Sequence, residues 1–210
     1  MVGEVAPDAV VHLAGIPDER GLVESLHSHA VSTAALLEAM LAHGVPRFVY
    51  ASSNHAVGRT PRGEADLPAQ ASGRPDTFYG VGKVAAEALM QLYVDRHGMH
   101  AVATRIGSFL PAPTSRRQLS TWLSHDDAVR MFQASLTAES PGFAVLYGVS
   151  ANTRGWWDLE PGRALGYQPQ DDAEQWAADI ETEPRSPEDD DEATFVGGPF
   201  ATPRFERSAF

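Results

Sequence analysis

Four short apolar runs set the limits on what this chain can fold into. They are AVVHLAG at 9–15, RFVYASS at 47–53, HAVATRIGSF at 100–109 and FAVLYGVS at 143–150. Their apolar residues are mostly consecutive rather than alternating. That is the mark of strands covered on both faces, as in a parallel sheet. The intervals between them read as helices. Residues 22–43 place Val31, Ala34, Ala35, Leu37 and Leu41 near a helical period, and Gly44 follows as a stop signal. A second helix is expected from about Thr77 to His97, closed by Gly98. The order strand, helix, strand, long loop, helix, strand gives an α/β chain whose parallel sheet carries helices on its faces.

Beyond residue 110 the pattern changes. Residues 111–127 form a polar connection carrying Arg116, Arg117, Trp122 and His125. A short amphipathic helix is expected at 126–138, and a helix then a turn within 156–170. This divides the chain into a sheet-bearing part at 1–110, a smaller lobe at 111–185 and a tail at 186–210. The acidic stretch EPRSPEDDDE by itself reads as a disordered tail. The aromatic FVGGPF after it points to docking, with another copy of the chain as one partner, and so to a homo-oligomer. The loop at 58–76, rich in Gly and Pro, is long enough to suggest a functional role.

Charge and cysteine content exclude several classes. A net charge of -12, with no basic stripe, disfavours a nucleic-acid partner. Without cysteine there is no disulfide framework, thiolate metal site or thiol nucleophile. No metal site of another kind is read. No apolar run reaches the roughly 18 residues a membrane span needs, and MVGEVAPDAV lacks a basic signal-peptide start. The expectation is a cytoplasmic protein acting on a small molecule.

Lys83 is the only lysine, in the stretch FYGVGK, four residues after Tyr79. On a helix that spacing puts the two on one face. A phenol titrates near 10 unperturbed, and a nearby ammonium favours the phenolate, so the pair can serve as a general base. A buried tyrosine beside an ordinary surface lysine would give the same spacing. Ser53 ends a predicted strand ahead of Tyr79, at the edge where parallel sheets build sites, and its hydroxyl could hold the group that Tyr79 deprotonates. A simple strand-ending turn is the plain alternative. Trp122 and His125 read as structural.

VVHLAG, RFVYASS, YGVGK and ATRIGSFLP, in this order and spacing, resemble the extended short-chain dehydrogenase/reductase superfamily, which includes the NAD-dependent epimerases and dehydratases. ASSNHAVG, RIGSFLPAPTSRRQLSTWLSHDD, LYGVSANTRGWWD and VGGPF are similar, more narrowly, to the uronate dehydrogenases. The resemblance implies a Rossmann-like fold and a hexuronate (galacturonate or glucuronate) oxidised at its C1 hydroxyl to an aldarolactone, with NAD. It implies Ser53, Tyr79 and Lys83 as the catalytic set, with Tyr79 the base and Lys83 lowering its pKa. Asn54, His55, Ser108 and Arg117 would hold the sugar acid, Arg117 as the carboxylate clamp. Leu13, Ala14, Gly15, Ser52, Ile106, Tyr79 and Lys83 would face the cofactor.

The chain departs from that pattern at three places. His29 and Ser32 stand where the family has Asn and Gly, and the Asn there supports the lysine and a relay water. Pro17 replaces a small hydroxyl residue. No glycine-rich phosphate loop precedes AVVHLAG, so two βα units, on the order of 60 residues, are expected to be missing. The chain would then be a fragment or a shortened protein with an apolar sheet edge. Two further readings stay open: a nucleotide-sugar epimerase or dehydratase, and a truncated, catalytically impaired remnant.

Overall fold

The computed structural model describes residues 2–63, 66–182 and 184–209. After a short helix α1 (Val2–Val5), strand β1 (Ala9–His12) leads to α2 (Leu22–Leu26), a π-helical turn (His27–Val31) and α3 (Ser32–Ala42). Strand β2 (Arg47–Ser53), helix α4 (Phe78–His97), strand β3 (His100–Ile106) and β4 (Ser108–Phe109) follow. Next come α5 (Gln118–Thr121), β5 (Trp122–Leu123), α6 (His125–Thr137) and β6 (Phe143–Gly148), then α7 (Glu160–Ala164), α8 (Ala177–Ile180) and α9 (Pro187–Ala193). The main sheet has the order β1-β2-β3-β6, and all its pairings are parallel.

Successive residues on a strand face opposite ways, and the core follows that rule. Phe48 and Tyr50 of β2 and Ala101 and Ala103 of β3 pack under Leu37, Met40, Ala86 and Met90 of α3 and α4. Val102, between the two alanines, faces the other side, where Met131, Leu146 and Tyr167 bury it. At the β1 edge, Val11 and Leu13 are exposed.

Helix α4 has both ends defined by its sequence. Thr77 caps the start by accepting from the Gly80 N–H at 3.1 Å. Gly98 ends it in the left-handed region, φ 67°, where a glycine carries no steric penalty.

Three expectations change in detail. β1 stops at His12, so Leu13–Gly15 leave the sheet as loop. The run at 100–109 breaks at Gly107, and β4 pairs instead with β5 in a small separate sheet. The helix at 22–43 contains an extra-residue π turn, a feature often placed at functional sites.

The tail differs more. Its acidic residues form α9 rather than a disordered stretch, with Ser186 and Asp189 capping each other reciprocally. The chain then runs antiparallel to the long loop: Arg62 N–H donates to Thr194, Val196 N–H to Thr60 and Gly197 N–H to Gly58. Phe200 stacks on Phe205, and the Ala209 carbonyl accepts from the Leu22 N–H at 3.3 Å. The aromatic tail thus docks on its own chain, because the loop at 58–62 offers it unpaired backbone. No helix among the described residues is long and apolar enough to cross a membrane.

Candidate active site

Strand β2 delivers two adjacent serines in opposite directions. Ser52 points to α4, where its hydroxyl donates to Glu87 Oε1 at 2.5 Å. Glu87 is also held in a fork by Arg105, at 3.1 Å to Nε and 2.8 Å to Nη2. Ser52, expected at the cofactor, has its side chain committed to this buried ion pair. Ser53 turns the other way, at the carboxyl end of β2. Its Oγ accepts the His55 N–H at 3.2 Å and donates to Asn54 Oδ1 at 3.3 Å.

Lys83 lies one turn beyond Tyr79 and is buried. Its Nζ donates to the Ala51 carbonyl at 2.7 Å and sits 4.7 Å from the centre of the Tyr50 ring and 5.2 Å from that of Tyr79. Burial pushes the Lys83 pKa down to about 8, with Glu87 acting in the other direction. The Tyr79 phenol is raised, not lowered: burial dominates, the nearby Ser53 hydroxyl opposes it and the charge of Asp76 adds to it. The expected lowering by Lys83 is corrected here, since the ammonium faces the ring and its strongest contact is the Ala51 carbonyl.

His29, from the π turn, is buried edge-on to Tyr79, with ring centres 5.0 Å apart. Its Nε2 contacts the Ile16 carbonyl at 3.0 Å, and its Nδ1 is buried with no partner. Burial, with Lys83 second, lowers its pKa to about 4, so the ring is neutral at pH 7.

Among the residues expected to hold the sugar, Asn54 is buried with its Nδ2 unpartnered. His55 donates from Nδ1 to Asp76 at 2.8 Å and packs on Phe200 at 4.4 Å. Arg117 precedes α5 and is half-buried; its Nη2 donates to the Val196 carbonyl at 2.9 Å, while its Nε is buried and unpartnered. Burial lowers the Arg117 pKa to about 10, against the attraction of Asp76 and Glu192. Ser108 pairs with Thr121 at 2.9 Å.

Leu13, Ala14 and Gly15 are exposed beyond β1, and Ile106 stands in register with Ser53 at the end of β3. The structure therefore gathers Ser53, Asn54, His55, Tyr79 and Lys83 at one point, with Ile106 beside it. Leu13–Gly15 and Ser108 lie at the same carboxyl edge of the strands, where α/β sheets bind ligands. Trp122 donates from its indole to the Leu110 carbonyl at 2.8 Å, and His125 packs on Phe109. None of the expected catalytic or sugar-binding residues lines the cavity of about 630 Å³ that lies against Glu87, Arg105 and Phe143.

The sequence reading missed Glu19, Asp76 and the Glu87–Arg105 pair. Glu19 accepts from the N–H groups of Phe78 and Tyr79, both at 2.9 Å, so one carboxylate covers the open start of α4. Its position in a loop, 60 residues before Tyr79, carries no local signal. Glu87 was findable, being one helical turn after the lone lysine. Among the described residues no group of three or more His, Asp or Glu side chains could hold a metal ion.

Residues 1–125 match the NAD dependent epimerase/dehydratase family. The chain belongs to that family. It is 42% identical over 207 residues to a uronate dehydrogenase of Agrobacterium fabrum, covering 96% of this chain and 76% of the relative. A crystal structure of a uronate dehydrogenase variant from Agrobacterium tumefaciens complexed with NAD is 40% identical, with a TM-score of 0.87 over 95% of this chain and 76% of that one. A glucuronic acid dehydrogenase from Chromohalobacter salexigens has a TM-score of 0.88 at 36% identity, covering 95% of this chain and 76% of that one.

Proposed function

We propose that this protein is a cytoplasmic NAD-dependent dehydrogenase that oxidises the C1 hydroxyl of a free hexuronate, galacturonate or glucuronate, to the aldarolactone. The observation that carries the reading is the Lys83 ammonium 5.2 Å from the centre of the Tyr79 ring, with Ser53 at the carboxyl end of β2 and a half-buried arginine, Arg117, left with a buried, unpartnered Nε. Relatives of this chain are uronate dehydrogenases, which supports the same substrate class.

The residues present fit NAD at its nicotinamide end. Leu13–Gly15 leave backbone exposed at the carboxyl end of β1, Ile106 offers an apolar contact, and Lys83 offers an ammonium beside Tyr79. When bound there, NAD supplies the hydride acceptor. The protein's own part is proton transfer and orientation. Ser53 holds the C1 hydroxyl and Tyr79 takes its proton. Lys83 holds the cofactor's ribose. The Arg117 fork pairs with the substrate carboxylate in two parallel hydrogen bonds, a geometry a point charge cannot match. Asn54, His55 and Ser108 complete the sugar pocket. We assign residues 1–110 to the cofactor, 111–185 to the sugar and the tail at 186–210 to closing the pocket.

The test is NADH formation by the purified chain with galacturonate or glucuronate, against neutral galactose as control. NADH is expected with the acids and not with galactose. Calorimetric binding of NAD without NADH from either acid would overturn the substrate assignment.

A further inference from the structure

Asp76 has no role in the reaction above, yet it is the most enclosed acidic side chain at the site, with an exposure of 0%. Its Oδ2 faces His55 Nδ1 at 2.8 Å, and its Oδ1 accepts from the Thr77 hydroxyl at 3.0 Å. That same hydroxyl caps α4, so one chain of hydrogen bonds joins His55 to the helix that carries Tyr79. The space for the carboxylate is built by glycine. A Cβ on Gly58 would lie 1.9 Å from Oδ2, and one on Gly197 would lie 1.8 Å from it. Two segments far apart in sequence thus bring bare backbone against one oxygen. The Asp76 charge acts on both Tyr79 and Arg117, pushing each pKa upward, with burial at Tyr79 and against it at Arg117.

An ionised carboxylate only accepts hydrogen bonds. The proton between Asp76 and His55 therefore belongs to Nδ1, and a neutral ring then has its lone pair at Nε2. Nε2 has no hydrogen-bond partner among the described residues. The ring itself is fixed between Phe200 at 4.4 Å and Tyr79 at 5.9 Å.

We propose that Asp76 is a positioning residue that locks His55 in the Nδ1-protonated form, so that Nε2 accepts a hydrogen bond from a hydroxyl of the substrate sugar. The identity of that substrate rests on the function proposed above, but the tautomer does not. An acceptor at this place selects a ring carrying a hydroxyl, since a site built to pair with one leaves its own group unpaired when the hydroxyl is missing. In Asp76→Asn the amide can donate to Nδ1 instead, which moves the ring proton to Nε2 and turns an acceptor into a donor.

The experiment is nitrogen NMR of the ¹⁵N-histidine-labelled chain, with His55 assigned from the spectrum of His55→Gln. In the unsubstituted protein Nδ1 is expected to carry the proton and Nε2 to be bare at neutral pH. In Asp76→Asn the proton is expected on Nε2, and kcat/KM for the uronate falls about 10–100-fold. In the double variant Asp76→Asn/His55→Gln, kcat/KM is expected to be no lower than in His55→Gln alone. A protonated Nε2 in the unsubstituted protein, or additive losses in the double variant, overturns the proposal. If Asp76→Asn does not fold, the spectrum of the unsubstituted protein still decides. A protein with the expected tautomer and no uronate activity would refute the proposed function alone.

Discussion

The Cα of Gly198 sits against the guanidinium of Arg117: a Cβ there would lie 2.2 Å from Nε. The glycine also has φ 61°, a conformation side chains rarely adopt. Gly198→Ala is therefore expected to displace Arg117 while leaving the base and lysine in place. KM for the uronate should rise about 10–100-fold, the loss of a charge-assisted hydrogen bond. KM for NAD should hardly move. Steady-state kinetics with each substrate varied in turn checks this, and equal changes in both constants would contradict the placement of Arg117 on the sugar.

Tyr79→Phe removes only the phenol oxygen. A positioned general base contributes about 10²–10⁴-fold, and kcat is expected to fall by that much. Ring packing against His29 and His55 is retained, so the melting temperature should stay nearly constant. Thermal unfolding beside the kinetic assay separates the two effects.

His29 makes stability depend on pH. Its folded pKa, about 4, lies below the ordinary 6.5. Between those values the unfolded chain binds the proton and the folded chain does not, so stability falls as pH drops from 6.5 toward 4. The full effect is on the order of 3 kcal/mol. Urea unfolding across that range is expected to show the decline, and His29→Asn is expected to flatten it. An equally steep decline in the variant would place the origin elsewhere, with His12, also lowered by burial, the next residue to test.

Glu19→Ala uncovers two N–H groups at the start of α4. A lost helix cap costs about 0.5–2 kcal/mol, to be read from denaturant unfolding. Because one of the two belongs to Tyr79, kcat should also fall, while the sugar's KM stays close to its value in the unsubstituted chain. A change in stability with no change in kcat would mean that Glu19 supports the helix without aiming the tyrosine.

What could be read from the residues alone follows the range of the forces involved. Helix α4 came out within a residue of its bounds, because Thr77 and Gly98 act on their immediate neighbours. Strand β2 was legible because its apolar run is bounded by polar turns. The grouping of Ser53, Tyr79 and Lys83 was legible because strand and helix periods fix where each side chain points. Sequence spacing could not reveal Asp76 between two distant glycines, the Glu19 cap, or the committed hydroxyl of Ser52. Those depend on contacts between segments that only the finished fold brings together. The Tyr79 pKa went the other way for a related reason: burial is a property of the whole packing, whereas the helix spacing showed only one charge.

The position of Val196–Phe205 against Arg117 and His55 also sets an order of assembly. During synthesis the ribosome releases Ser53, Tyr79 and Lys83 early, with the strand and helix that hold them. The carbonyl of Val196 and the ring of Phe200, which touch Arg117 and His55, emerge much later. A nascent chain would therefore own its proton-transfer groups well before it could grip an acid.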